Sequence, residues 1–570
     1  MSSVLAGLPP ASIMIVGALF IPLFRGRART LYILALPLLS AVQLLGLFGL
    51  PEGAHQQIEL LGYTLTLARI DKLALVFGLI FHIVAFLSVV YAAHVKDAVQ
   101  HVAGTAYAGA GIAAVFAGDL ITLFVYWELT AVASVFLIWA SRTERSYRAG
   151  MRYLIIQVTS GVLLLAGAIL HYQATGSLAF DHLGLGSLGT NLIFLAFGIK
   201  AAFPFLHNWL QDSYPEATVT GTVFLSAFTT KLAIYALARG YAGTEILIPI
   251  GIVMTIFPIF FAVIENDLRR VLAYSLNNQL GFMVVGIGVG TELALNGAVA
   301  HAFAHLAYKG LLFMSMGAVL YRAGTVKASE LGGLYKSMPL TATFCIIGAM
   351  SIAAFPLFSG FATKSMIVSA VGDGGMFWAF LGLTFASAGV MEHSGIKIPF
   401  FAFFAHDSGI RCKEAPTNML LAMGGMAALC IGIGVFPAPL YALLPYDVDY
   451  QVYTPTHVIT QLQLLLWATL AFAVLMRTGL YPAEMRSTVL DSDWVYRRAI
   501  PRILGAFARV GGRFHAQVTD GAVAAVRGSV ERVQRHHGPR GIWGRTWSTG
   551  DTVMWVAILL AAYLVVYYLR

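Results

Sequence analysis

Charge is scarce in this chain: Asp, Glu, Lys and Arg together make up 11% of its 570 residues. A soluble domain carries about 25%, so a water-facing surface of ordinary extent is excluded. Cysteine is almost missing. Cys345, Cys412 and Cys430 lie far apart with no Cys-x-x-Cys, which gives no clustered thiolates for iron–sulfur or structural zinc and no support for a disulfide. No cofactor and no metal are therefore expected. No basic stretch with a short apolar run and a cleavage site opens the sequence, so its first apolar segment is read as a retained span. The glycine-rich string Gly286–Gly290 lies inside an apolar run, not after a soluble strand, and does not read as a nucleotide loop.

What is plentiful is apolar. Hydrophobic residues make up 58% of the chain, in recurring stretches long enough to cross a hydrocarbon core of ~30 Å. Sixteen spans are expected, near 6–24, 30–50, 72–94, 99–117, 119–141, 150–172, 191–210, 218–238, 246–264, 271–290, 294–320, 339–371, 376–404, 417–436, 457–477 and 551–569. The net charge of +9 reads as loop charge on one side of a membrane, not as a nucleic-acid footprint. With the N-terminus outside, twenty-seven of the thirty-six Lys and Arg fall in cytoplasmic connections. Four fall outside: Arg69, Lys72, Arg239 and Arg570. That places both termini on the outer face of a prokaryotic inner membrane.

The five cations left over lie within spans, and all are lysines: Lys200, Lys231, Lys309, Lys364 and Lys397. A charge at the bilayer centre costs at least ~2.5–3.5 kcal/mol. Lysine can lose its proton when desolvated, whereas arginine keeps it. Groups that must gain and lose protons inside a membrane are therefore expected to be lysines. Lys200, Lys231 and Lys309 lie about ten residues from either water layer, roughly 15 Å. Lys364 follows an expected helix break, which leaves its depth open. Lys397 approaches the cytoplasmic end of its span, where snorkelling to the interface is an equal reading.

Glu128, in VYWELTAVASVFLIW, lies nine residues past Asp119, roughly 13 Å into the membrane if helical. Such a carboxylate needs a cation or a proton. With a lysine it makes a switch, since a change in one partner's charge alters the other's proton affinity; the plainer alternative is a neutral Glu bonded to backbone. His301, His305 and Lys309 recur at i, i+4 and i+8 on one helix face. The stripe suits proton relay or polar interhelical bonding; haem ligation is a third reading, with no axial pair evident from spacing. Two spans, FGIKAAFPFLHNWL and AAFPLFSGFATKSM, are broken by proline. Freed backbone groups are tolerated at that depth only where protein or water satisfies them, and paired breaks point to repeats with ion sites at the interruptions. Residues 486–545 are Arg-rich, with Ile500, Leu504, Phe507, Phe514 and Val518 on an apolar stripe, which suggests an amphipathic helix at the cytoplasmic interface. Gly511, Gly512 and Pro539 speak against one uninterrupted rod.

Several strings in fixed order carry a resemblance: DLITLFVYWELTAVAS, FGIKAAFPFLHNWLQDSYPEA, FLSAFTTKLAIYALAR, ENDLRRVLAYSLNNQLGFM, HAFAHLAYKGLLFM and FPLFSGFATKS. Over residues 60–405 or so, the chain resembles the antiporter-like subunits of respiratory complex I (NADH:quinone oxidoreductase) and of the Mrp multisubunit cation/proton antiporters, with relatives in membrane-bound hydrogenases. The resemblance implies an all-α integral membrane fold of about 16 transmembrane helices. Helices 1–3 would fill residues 1–98, one inverted five-helix repeat 99–240 and its counterpart 246–405, with helices 7 and 12 discontinuous. Helices 14 and 15 would fill 417–477, the amphipathic basic segment 486–545, and the last span 551–569.

It further implies that Glu128 and Lys200 gate one half-channel and that Lys231 stands on the eighth helix. His301, His305 and Lys309 match the eleventh-helix stripe, and Lys364 the ionisable group near the exit. His207 and the acidic patch from Asp212 to Glu216 would line the cytoplasmic mouth. Lys397 matches no position of the pattern. Lys231 looks like the Mrp D-type or the shorter complex I subunits. The C-terminal extension looks instead like the lateral helix of the largest, or equally like a basic tail on anionic lipid. The implied function is a proton- or sodium/proton-translocating subunit without a redox centre of its own, working with other membrane subunits and not with nucleic acid. The alternative is a proton-conducting subunit of a membrane hydrogenase or of an inorganic-carbon uptake complex.

Overall fold

Apolar runs of this length can satisfy their backbone groups in lipid only as helices or closed barrels, and here they form helices. The structure is a computed structural model that describes residues 8–485 and 489–569. Residues 6 and 7 of the first expected span, residues 486–488 of the basic segment and Arg570 lie outside the described residues. The chain divides into two units, 1–489 and 490–570.

In the first unit, α1 (Ser12–Phe20) and α2 (Gly26–Leu47) precede strands β1 (Gly53–Leu60) and β2 (Tyr63–Ile70). Then follow α3 (Lys72–Ala92), α4 (Ala98–Phe116), α5 (Leu120–Trp139), α6 (Glu144–Thr175), α7 (Leu188–Lys200), the short α8 (Asn208–Ser213) and α9 (Val219–Gly240). Next come α10 (Leu247–Ile264), α11 (Leu268–Val289), α12 (Glu292–Ala323), α13 (Pro339–Ile352), α14 (Ser359–Asp373) and α15 (Phe377–Val390). Helix α15 runs on through wide π turns at Met391–Ile396 and Phe400–Phe404. The unit closes with α16 (Thr417–Val435), α17 (Ala438–Tyr441) and α18 (Pro455–Thr478). The second unit holds α19 (Ile500–His537) and α20 (Thr549–Tyr568). Helix stands at each of the sixteen expected places, and ten of the described helices are long and apolar enough by themselves to cross a membrane.

The fold departs from the sequence expectation in three places. It is not purely helical, because residues 53–70 form an antiparallel hairpin. Leu61 and Gly62 both take positive φ, 54° and 82°, the pattern of the tight turn whose twist matches paired strands. The second departure is in α19, which runs without interruption through Gly511 and Gly512, while Pro539 falls beyond its last residue. A glycine costs a helix only about 1 kcal/mol; it weakens a helix but does not stop it. The third is Arg269, counted above as loop charge. It is buried, donating to the carbonyls of Pro215, Ala217, Thr218 and Tyr214 and to the Thr222 hydroxyl. The guanidinium fork satisfies that cluster of turn carbonyls as a compact ammonium could not.

Both broken segments share one local conformation. Ala201–Phe205 reads AAFPF and Ala353–Leu357 reads AAFPL. In each, the second alanine and the residue after proline have positive φ: Ala202 61° and Phe205 67°, Ala354 59° and Leu357 73°. Non-glycine residues hold such angles only where their surroundings over-determine them, at about 1–3 kcal/mol each. Helices α6 and α12, which precede these breaks, are each 32 residues long. Asp119 and Asp267 cap the helix before each of those two, accepting from the amides of Ile121 and Thr122, and of Arg269 and Arg270.

Outside the spans, Asp407 ties two loops together. It accepts from Arg411 at 2.6 and 2.9 Å and from Lys336 at 2.7 Å. Those bonds, Arg411 first, hold its carboxyl well below the usual carboxylate range. The tie is therefore complete above about pH 4, the ordinary aspartate value, and is lost only as pH falls through the lowered folded value. Hydrogen exchange over residues 334–337 and 405–411 is expected to keep its protection between about pH 7 and about pH 5, whereas Asp407→Asn loses it at neutral pH.

Candidate functional site

All five span lysines are buried: Lys200, Lys231, Lys309 and Lys397 have no exposed surface, and Lys364 has 3%. Lys200 ends α7 where the break begins. Its ammonium donates to the Trp127 carbonyl at 2.7 Å and to Thr130 Oγ1 at 2.8 Å, and sits 4.2 Å from the Trp127 ring centroid. The Glu128 carboxylate interacts with Lys200 electrostatically, but the lysine's two hydrogen bonds go to the α5 backbone and to Thr130. Glu128 Oε1 is buried without a hydrogen-bond partner and lies over Gly161 of α6, where any Cβ would overlap it.

Polar groups continue inward from there. Ser134, one turn beyond Thr130 on α5, bonds Tyr153 Oη at 2.8 Å, and Tyr107 Oη bonds Thr229 Oγ1 at 2.6 Å. Thr229 is two residues from Lys231, whose amine donates to the Ser226 carbonyl at 2.6 Å. Lys231 interacts electrostatically with Lys309 and His305 across the α9–α12 packing.

The stripe on α12 faces inward along its whole length, with His301, His305 and Lys309 fully buried. His301 is held at both ring nitrogens, Nδ1 to Thr363 Oγ1 at 3.2 Å on α14 and Nε2 to Gln279 Oε1 at 3.2 Å on α11. Tyr308 Oη donates to the same Gln279 oxygen at 3.1 Å. Both nitrogens of His305 and the Lys309 amine are buried with no hydrogen-bond partner among the described residues. Lys364, one turn past the second break, also has an unpartnered amine, 5.0 Å from the Phe282 ring centroid. It lines a cavity of about 440 Å³ together with Ser365, Ser387, His457 and Gln461. Such cavities can hold water when polar groups line them, and a relay along the row needs water between its amines.

Not every expected group faces this row as a free charge. Asp212 is paired with Arg152 at 2.7 Å, and Glu216 with Arg145 at 2.6 Å. His207 is buried against the Phe257 ring. Lys397 is drawn into a separate ion pair with Glu484 at 2.8 Å. Sequence reasoning did not single out Gln279, Tyr308, His393 or Glu484. The polar triplet Asn277, Asn278, Gln279 inside an apolar span was a usable signal. Glu484 gave none, because it lies beyond the end of a span.

The fold and the site define a helical protein with ten described helices fit to cross a membrane and several titratable groups buried in its interior. Residues 117–389 match the family described as NADH:quinone oxidoreductase/Mrp antiporter, transmembrane region. The chain is similar to a Na(+)/H(+) antiporter subunit of Alkalihalophilus pseudofirmus, 29% identical over 60% of this chain and 73% of that one. It is also similar to an NADH-quinone oxidoreductase subunit of Desulforudis audaxviator, 33% identical over 48% of this chain and 58% of that one. In fold it resembles a chain of the membrane-bound sulfane sulfur reductase, an archaeal respiratory membrane complex, with a TM-score of 0.70 and 20% identity. That likeness covers 98% of this chain and 100% of the other.

The Glu128–Gly161 contact yields a prediction. In Gly161→Ala the new methyl meets the flexible end of Glu128, not backbone, and alanine is the better helix former. The carboxylate is displaced while the packing of α6 persists. Ion flux in reconstituted vesicles is expected to fall, with the thermal midpoint altered by less than about 1 kcal/mol equivalent.

Proposed function

We propose that this chain is the ion-translocating subunit of a multisubunit membrane complex, carrying protons along Glu128, Lys200, Lys231, His305, Lys309, His301 and Lys364. The observation that carries this reading is the row itself. Several ionisable side chains are buried in the interior of one helical unit, and the amines of Lys309 and Lys364 have no hydrogen-bond partner among the described residues. Cations so placed are costly, and hydrogen bonds to one another do not account for them. Lys200, which interacts electrostatically with Glu128, is the natural gate, because a change at Glu128 alters its hold on a proton.

On this reading the two broken segments, with their repeated AAFP conformation, belong to inverted five-helix repeats over 99–240 and 246–405. The basic connections between spans face the cytoplasm, and the amphipathic character of α19 suits a membrane surface. Neighbouring membrane subunits supply the driving force. The test is proton flux in vesicles containing the purified complex, read by a trapped pH-sensitive dye with sodium present and absent. Flux that needs no sodium supports protons as the cargo. Flux that appears only with a sodium gradient assigns exchange, and no flux under either condition overturns the proposal.

A further inference from the structure

Among the described residues, Lys397 is the one span lysine with a carboxylate in direct contact. After α18 the chain reverses at Gly479, φ 72°, and the amides of Leu480 and Tyr481 both return to the Leu475 carbonyl at 3.0 Å. The Tyr481 ring then packs on Phe472 and Phe401. This reversal sends Glu484 back against the π-turned extension of α15, where Oε1 meets Lys397 Nζ at 2.8 Å. The same amine donates to the carbonyls of Val263 and Glu265, at 2.6 and 2.8 Å, where α10 ends. Glu484 Oε2 is buried with no hydrogen-bond partner.

One turn earlier on that helix is His393, fully buried. Ser394 donates its hydroxyl proton to Ser275 at 2.7 Å, so it accepts from His393 Nδ1 at 2.8 Å. That leaves His393 Nε2 as an unprotonated, unpartnered acceptor. This ring interacts electrostatically with Lys309, Lys397 and Lys364. It thereby interacts with lysines of the row described above and with the Lys397 pair alike. It also lies in a π turn, a helix irregularity that recurs at functional sites.

A buried ion pair adds little stability over well-packed apolar side chains, so stability alone does not explain a pair in this place. We propose that His393, Lys397 and Glu484 form a further proton-transfer station that connects the lysine row to the end of the bundle carrying the α10–α11 turn. The inference rests on the ion-translocating reading above. In one cycle, ammonium Lys397 passes its proton to the Glu484 carboxylate and both become neutral. The carboxyl then releases that proton to water at the bundle end, and the neutral amine takes the next one from His393 Nε2, which has first accepted it from the lysine row. One full cycle moves one proton and restores the ion pair and the neutral imidazole. Burial raises the Glu484 carboxyl above its ordinary range while Lys397 opposes the rise. Glu265 and Arg270 from the α10–α11 turn, Glu392 from the same helix and Tyr481 from the returning segment also face this site.

The experiment compares proton flux through the full-chain complex in vesicles for wild type, Lys200→Ala, Glu484→Gln, Glu484→Asp and His393→Ala, each across a range of pH. Glu484→Gln is expected to lower flux about a hundredfold and to remove one ionisation from the pH profile, while Glu484→Asp restores both in large part. His393→Ala disturbs no ion pair and is expected to lower flux about tenfold or more. Should Glu484→Gln fail to assemble, His393→Ala and Glu484→Asp decide the matter. Wild-type rates and pH profiles in the variants that assemble would overturn the station and leave Lys397 as a helix-end cap. Absence of flux in wild type, or full flux in Lys200→Ala, would instead overturn the underlying reading.

Discussion

Replacing Lys200 by alanine is expected to abolish ion movement in reconstituted vesicles while the chain stays folded and inserted. The partners it leaves behind are modest. The Trp127 carbonyl still accepts from Thr130 Oγ1 at 2.6 Å, so no main-chain group is orphaned. Removing a buried cation also removes its desolvation cost, which offsets the lost hydrogen bonds. Conduction has no such substitute. Without the amine, Glu128 loses the charge its proton affinity responds to, and the row is cut at the first break. A loss of at least ~10²-fold in flux follows if proton transfer at this site is obligatory. Lys200→Arg sharpens the test, because it keeps the positive charge and gives up the ability to release it. An arginine variant as dead as the alanine variant identifies proton release as the requirement; an active one identifies charge alone. Normal flux in Lys200→Ala, with equal amounts of protein in the membrane, would remove Lys200 from the mechanism.

The lysine row was legible because the bilayer makes it so. In an apolar run every cation is conspicuous, and the five lysines found by position in the sequence are the lysines buried among the described residues. Helix positions were legible for the same reason, since a long apolar run can satisfy its backbone groups in lipid as a helix. What escaped was set by contacts between distant segments or by local angles. The hairpin over residues 53–70 sits between two spans, where hydropathy says little, and depends on the paired positive φ of Leu61 and Gly62. Arg269 looked like loop charge because it falls between the spans expected at 246–264 and 271–290, yet its guanidinium turns inward to carbonyls around residues 214–218. Glu484 became part of a site only because Gly479 turns the chain back. The expected Glu128–Lys200 pair shows the same limit. Sequence depth placed both groups in one layer, but rotamers sent the amine to Thr130 and left the carboxylate over Gly161.

Gly360→Ala is expected to damage both folding and conduction, and the reason lies in what the added methyl meets. At Gly161 the obstruction is the mobile end of a glutamate. At Gly360 it is the Ser351 carbonyl oxygen, a backbone atom in the last turn of α13, with the Ala354 Cα close behind. The two halves of the broken span pass each other there with no room for a side chain. Neither half can readily retreat. Ser351 and Ser359 are hydrogen-bonded through their hydroxyls at 2.7 Å, and Tyr453 holds the Leu357 amide at 3.2 Å. On the other side a Cβ at Gly434 would overlap the Leu357 carbonyl, so α16 is already in close contact with the break. Overpacking of this kind costs about 1–3 kcal/mol and sometimes more. Whatever shift relieves it moves Lys364, which follows Gly360 by one helical turn on the same face, away from the cavity it lines. A thermal melt in detergent should show a lowered midpoint, and vesicle flux should fall further than the loss of folded protein accounts for. A Gly360→Ala protein with wild-type melting and wild-type flux would show that the break is looser than this packing requires, and that the position of Lys364 does not depend on it.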